Sequence, residues 1–324
     1  MMILERPRRL RSTQNLRDLV EETNLQISDF VLPLFIKEGK NINQPISSMP
    51  GHSQVSIDQL GPILEEIAKL GIRSIILFGI PVSKDATGSH SLQDTGIIQK
   101  AISYIKKQQP NLNVIADVCL CEYTDHGHCG ALHDRTVDND ITINLLAQQA
   151  LSYAKAGADI IAPSAMMDNM VLSIRNALDA NGYIDTPIMS YAVKYSSSMY
   201  GPFREAAEGA PKFGDRKTYQ MHYANSDEAI KEARLDIAQG ADIIMVKPAH
   251  TYLDIIQKVK MNFPGTPVAA YHTSGEFAMI KAASQKGWID ESQAILEINT
   301  SIKRAGAKII ISYYTKELAL ILRK

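Results

Sequence analysis

Cysteine is scarce in this sequence. Only 3 occur in 324 residues, and all three fall between Cys119 and Cys129. An odd, clustered set cannot staple a secreted fold, so a disulfide framework is excluded and a reducing, cytoplasmic setting is expected. Charge of one sign is also lacking: Lys+Arg number 34 and Asp+Glu 35, a formal net charge of -1. Wholesale nucleic-acid binding, which wants a basic face, gains no support. No uncharged apolar run approaches the ~18 residues of a membrane helix, so no membrane partner is expected. The first apolar run is not followed by Gly-x-Gly-x-x-Gly, which argues against a dinucleotide-binding open sheet. What remains is ordinary for a globular chain, 45% hydrophobic and 21% charged, and excludes disorder or a fibre.

Eight short apolar, β-branched runs alternate with amphipathic stretches: Val31–Ile36, Ser74–Ile80, Asn113–Leu120, Asp159–Ser164, Pro187–Val193, Ala241–Lys247, Pro267–Ser274 and Ala307–Tyr314. Four are preceded by an amphipathic segment that ends in glycine: Gly71, Gly157, Gly240 and Gly306. Glycine there reads as a left-handed residue closing a helix. Runs without polar alternation imply strands covered on both faces, hence a parallel sheet. Eight helix–turn–strand units predict an α/β fold, a TIM (β/α)8 barrel. Residues 1–27 carry Arg6, Arg8, Arg9 and Arg11 and no strand, and read as an N-terminal extended arm for subunit contacts. Glu5, Asp18, Glu21 and Glu22 argue against a cleaved targeting peptide. Residues 28–324 form the catalytic barrel. Within it the irregular stretch 194–225 reads as a lid, since connections of such length are usually functional.

The segment Asp117 to Gly130 lies at the C-terminal end of the third run, where barrel active sites sit. Cys119, Cys121 and Cys129 bring three soft thiolates together, a match for zinc with one coordination position left open for catalysis. His126, His128 and His133 could ligate instead of, or beside, a cysteine. Lys194 and Lys247 end neighbouring runs, their stems in the core and their amines at the barrel mouth. Two ammonium groups close together in a low-dielectric site repel, which lowers their pKa values and frees an amine for Schiff-base chemistry. The alternative is that each lysine reaches solvent or pairs with a carboxylate.

Gly240-Ala-Asp242-Ile-Ile-Met-Val-Lys247-Pro248-Ala249-His-Thr-Tyr252 resembles the active-site signature of the porphobilinogen synthase (δ-aminolevulinic acid dehydratase) family. The resemblance runs through nearly the whole chain. It takes in the arm at Arg6–Arg11, the metal loop Asp117–Gly130, Ala162-Pro-Ser164, and the lid start from Lys194 to Arg204. Gly214 to Met221, Tyr271 to Phe277 and Ser312 to Thr315 complete it. One departure is Ala165-Met-Met-Asp168-Asn169-Met170, where many relatives carry Asp-Met-Met-Asp-Gly-Arg. Asparagine tolerates the left-handed turn, but any role of an arginine is lost. Some relatives replace the loop cysteines with carboxylates. This chain keeps all three, which places it with the zinc-dependent type.

The resemblance implies the asymmetric condensation of two 5-aminolevulinates to porphobilinogen with loss of two waters, in tetrapyrrole (heme) biosynthesis. It implies that Lys247 holds the first substrate as a Schiff base, with Ser274 and Tyr313 on its carboxylate. Lys194 would hold the second substrate, clamped by Arg204, Arg216 and Gln220. Such clamps suit an anion, because arginine recognises carboxylates in a planar, bidentate fashion. Ser274 and Tyr313 are expected to end the seventh and eighth strands. The base that removes the C3 proton is left open, with Asp117 a candidate. Glu232, on an expected helix Asp227–Gln239, aligns with an allosteric magnesium site; without the resemblance it reads as a solvated helix carboxylate. A homo-octamer of arm-embraced dimers is implied as well. A Schiff-base aldolase, or a barrel kept only for binding, are the rival readings.

Overall fold

Left-handed glycines close the helix-to-strand turns where the sequence places them. Gly71, Gly157, Gly240 and Gly306 have φ of 69°, 101°, 104° and 122°, values that a side chain would oppose. Each turn feeds a buried parallel strand. The computed structural model describes residues 5–323. Its barrel strands are β1 (Phe30–Lys37), β2 (Ser74–Ile80), β3 (Asn113–Val118), β4 (Ile160–Pro163), β5 (Met189–Lys194), β6 (Ile243–Lys247), β7 (Val268–His272) and β8 (Ile309–Ser312). They pair in parallel in the order β4-β3-β2-β1-β8-β7-β6-β5, and a bridge between Ile161 and Ile188 joins the two ends. The result is a (β/α)8 barrel, with a helix behind every strand and two, Ser274–Gln285 and Glu291–Arg304, behind β7.

The strands bury Leu32, Phe35, Ile75, Leu77, Val114, Ile161, Ile244 and Ile310 completely. With both faces covered, their uninterrupted apolar character is explained. Two strand ends differ from expectation. β7 stops at His272, and Ser274 opens the following helix, because Thr273 and Glu276 form a capping box that starts the helix at once. β8 stops at Ser312, so Tyr313 lies just past the strand. The stretch 194–225 is also less irregular than its composition suggests. It contains a 3-10 turn, Ser198–Tyr200, and a helix, Gly201–Ala206, with proline in its first turn. Asn169 has φ of 64°, the left-handed conformation expected where relatives carry glycine.

The arm carries a 3-10 turn, Pro7–Arg11, and a short helix, Gln14–Leu19, neither burying any residue. Leu10, Leu19 and Val20 are exposed. Residues 1–4 of the arm and residue 324 of the barrel lie outside the described residues. Among the described residues no helix is long and apolar enough to cross a membrane.

Candidate active site

β5 and β6 pair so that Lys194 stands directly opposite Lys247 at the C-terminal ends of the strands. Both side chains are buried. The two amines have different neighbours. The Lys194 amine donates to the Ser164 carbonyl at the end of β4 at 2.5 Å. The Lys247 amine lies among four aromatic rings, 4.0 Å from the centroid of Tyr271 and 5.1, 5.2 and 5.3 Å from Phe203, Tyr191 and Tyr200. Burial, and then the charge of Lys194, lowers the Lys247 pKa to about 7, against the opposing pull of Asp117.

Asp117, near the end of β3, faces the pair. Its Oδ2 accepts from the Ser164 hydroxyl at 3.0 Å, while Oδ1 is buried without a partner. Burial and the neighbouring Glu122 raise its pKa to about 7, although both lysines pull it down. Asp117 and Lys247 therefore titrate as a coupled set near neutrality.

Immediately beyond β3, the Cys119, Cys121 and Cys129 sulfurs lie within 4.8 Å of one another and are buried. Cys119 Sγ lies 3.3 Å from Cys121 Sγ, which in turn lies 3.2 Å from Glu122 Oε2. Hydrogen bonds from Cys119 and Cys121, together with the charge of Arg216, hold the Cys129 thiol well below its ordinary value. A buried trio of sulfurs with one stabilised thiolate is the donor set of a thiophilic cation. The histidines of the same loop turn away to other partners. His126 Nε2 meets the Ala86 carbonyl at 3.2 Å, and His128 contacts the Tyr219 hydroxyl and the Phe213 carbonyl. His133 is exposed.

The segment after β5 crosses the mouth. Arg216 is buried, its Nη2 donating to the carbonyls of Gly127 at 2.8 Å and Gly209 at 2.5 Å. The Nε atoms of Arg204 and Arg216 and both side-chain polar atoms of Gln220 are buried and unpartnered. The unpartnered guanidinium Nε groups and the amide Nε2 are donors that an anion could satisfy. Ser274 Oγ accepts from the Phe203 amide at 2.9 Å, and the Tyr313 hydroxyl meets that of Tyr271 at 3.0 Å. Phe203 and Tyr271 are themselves two of the rings around Lys247, so Ser274 and Tyr313 back that side of the pocket.

Glu232 stands apart. It lies on the helix Glu228–Ala238, in a cavity of about 420 Å³ shared with Asp168, Glu228 and Asp236, which Lys194 and Lys247 do not line but Gln220 does. Burial, then Asp168 and Glu228, raises its pKa.

Sequence reasoning missed the aromatic cage. Tyr191 precedes Lys194 by an odd number of residues, so strict strand alternation would point them to opposite faces. The β5–β6 register slips between Ile244 and Val246, where β6 has one residue against two on β5. This bulge turns both side chains inward.

The sequence profile of the delta-aminolevulinic acid dehydratase family matches residues 4–321. The chain is 54% identical over 318 residues to the delta-aminolevulinic acid dehydratase of Halalkalibacterium halodurans, covering 98% of this chain and 97% of that one. The Bacillus subtilis enzyme of the same name is also 54% identical, over 97% of each chain. A crystal structure of delta-aminolevulinic acid dehydratase (porphobilinogen synthase) from Toxoplasma gondii, in complex with the reaction product porphobilinogen, superimposes with a TM-score of 0.96 at 41% identity, covering 98% of this chain and 92% of that one. With Lys194, Lys247 and the three thiols at one barrel mouth and its likeness running from end to end, the chain belongs to the delta-aminolevulinic acid dehydratase family.

Proposed function

We propose that this protein condenses two molecules of 5-aminolevulinate to porphobilinogen with loss of two waters, as a zinc-dependent member of its family, in the cytoplasmic synthesis of tetrapyrroles. The observation that carries the reading is the register pairing of Lys194 with Lys247 beside a buried trio of thiols. An amine whose pKa is near 7 is substantially neutral at physiological pH and can attack a ketone. Lys247 is then the residue that holds the first substrate as an imine, with Ser274 and Tyr313 toward its carboxylate. Lys194 takes the second substrate, whose carboxylate fills the space between Arg204, Arg216 and Gln220.

Each dehydration needs a proton delivered to a departing hydroxyl, and pyrrole formation needs one removed from carbon. Asp117, poised near neutrality with one free oxygen, suits both roles. Closure by residues 194–225 excludes water that would hydrolyse the imines. Cys119, Cys121 and Cys129 would hold zinc, which supplies Lewis-acid polarisation of a substrate oxygen when bound.

The remaining parts serve assembly and regulation. Residues 1–27 form the arm and residues 28–324 the catalytic barrel. The exposed Leu10, Leu19 and Val20 give the arm an apolar surface to lay on a neighbouring subunit, in a homo-octamer. Glu232 and its acidic neighbours would take magnesium as an allosteric cation.

Incubation with 5-aminolevulinate should yield a product that gives the Ehrlich colour of a pyrrole; its absence from the zinc-loaded protein would overturn the reading. Light scattering should report an octamer, and a fully active monomer would refute the assembly. Glu232→Ala should lose the magnesium response while keeping the basal rate.

A further inference from the structure

The segment that closes the barrel mouth is fastened on two sides. On the β3 side, the backbone of Lys212 donates to the His126 carbonyl at 3.0 Å, and Arg216 reaches Gly127. On the other side, the partners come from β1, from the strand paired to it and the turn before that strand, and from the loop after β2, and none of them has a part in the chemistry described above. The Lys37 amine, at the end of β1, forms an ion pair with Glu208 at 2.7 Å and also donates to Gln54 Oε1 at 2.8 Å. Gln54 lies on Ser53–Val55, which runs parallel to β1. Its amide donates to the Ala206 carbonyl at 2.8 Å and to Glu208 Oε1 at 3.2 Å. The Lys84 amine donates to the Glu208 carbonyl at 2.6 Å, and Ser47 Oγ donates to Glu205 at 2.7 Å.

We propose that Lys37, Gln54 and Lys84 form a latch that grips Glu208 and so positions the segment carrying Arg204 and Arg216 over the active site. This rests on the reading of that segment as a lid. Two features make the contact more than a surface ion pair. Gln54 is buried beneath the segment, and both acceptors of its amide, the Ala206 carbonyl and Glu208 Oε1, belong to that segment. Glu208 has φ of 50°, a left-handed conformation that a non-glycine residue enters at a cost, so its side-chain contacts offset an unfavourable backbone. The Lys37–Glu208 pair is itself partly exposed, at 24% and 43% of the side chains, and pairs of this kind are individually weak. A latch built this way holds the segment closed and still releases it within a turnover.

Lys37, Gln54, Lys84 and Glu208 are thus positioning residues. The test uses the zinc-loaded enzyme and its Lys37→Met, Glu208→Gln, Glu208→Gly and Lys37→Glu/Glu208→Lys variants, with hydrogen exchange of residues 200–216 and steady-state kinetics. Lys37→Met and Glu208→Gln should speed exchange and raise KM by about two- to fivefold, the range of an exposed pair, with kcat little changed. Borohydride trapping on Lys247 should be retained, and the charge-reversed double variant should move both readouts back toward the parent. Glu208→Gly separates side chain from backbone: it should exchange faster even though its backbone strain is relieved. Unchanged exchange in Lys37→Met and Glu208→Gln, no recovery in the double variant, or parent-like exchange in Glu208→Gly would overturn the latch. Faster exchange with unaltered KM would leave the latch standing and overturn the lid reading instead.

Discussion

Lys194 and Lys247 end adjacent strands, face each other in register and are equally buried, yet their surroundings are opposite in kind. Lys194 is tied to a carbonyl, one hydroxyl away from Asp117. Lys247 is enclosed by the rings of Tyr191, Tyr200, Phe203 and Tyr271. Rings replace little of a cation's hydration, so burial, and after it the charge of Lys194, lowers the Lys247 pKa to about 7. Two lysines of equal burial are thus given different neighbours, with the Tyr191 ring shared between them. The proposed order, Lys247 engaging substrate first and Lys194 second, can be tested against this contrast.

The comparison is broken most severely by replacing the amines. Lys247→Arg keeps a cation but cannot form an imine, so kcat should fall by roughly a thousandfold or more and covalent trapping should vanish. Lys194→Arg should also be nearly inactive, yet borohydride should still trap substrate on Lys247, read out by peptide mass. Trapping confined to Lys194 in the parent enzyme would reverse the order of events.

Removing the thiolates tests the third partner. Cys129→Ser should lose bound zinc by elemental analysis and most of its activity, and exhaustive chelation of the parent should do the same. Lead, a heavier thiophilic ion, should compete for the site. Full activity with no metal present would remove zinc from the mechanism.

A smaller effect separates the two substrate sites. A desolvated arginine–carboxylate bond contributes roughly 1.5–3 kcal/mol, so Arg204→Ala should weaken the second substrate by about one to two decades. The imine at Lys247 should form as before. Its loss would show that the clamp serves the first site.

The smallest effect is a shift in pH. Lys247 is protonated below its pKa and reactive above it, so single-turnover imine formation should rise through about pH 7 and level off. The Asp117 carboxylate favours the charged amine, so Asp117→Asn should lower the Lys247 pKa and move the rising limb to more acid pH. A shift in the alkaline direction would contradict the arrangement.

How much of this is readable in the sequence varies residue by residue. The thiol trio is plain, because Cys119, Cys121 and Cys129 share one loop and need no distant pairing to meet. The strands are plain too, since continuous apolar runs after left-handed glycines have few other solutions. Ser274 lies two residues past the strand that its apolar run suggests it ends, because the capping box of Thr273 and Glu276 competes with the strand for the same backbone. The latch on Glu208 is not readable at all. Its partners Lys37, Gln54 and Lys84 are remote in the chain and ordinary in type.

By itself, then, the sequence determined what is local: eight buried strands, the turns between them, and three sulfurs within reach of one another. Closure of the sheet decided the rest. It set Lys247 opposite Lys194, and the bulge in β5 turned Tyr191 inward beside Lys194 against the alternation of the strand. It also buried polar atoms of Arg204, Arg216 and Gln220 without partners. The physical reason is that strand periodicity and turn chemistry act over a few residues. The pKa of a buried amine depends on every charge and ring that the fold packs around it.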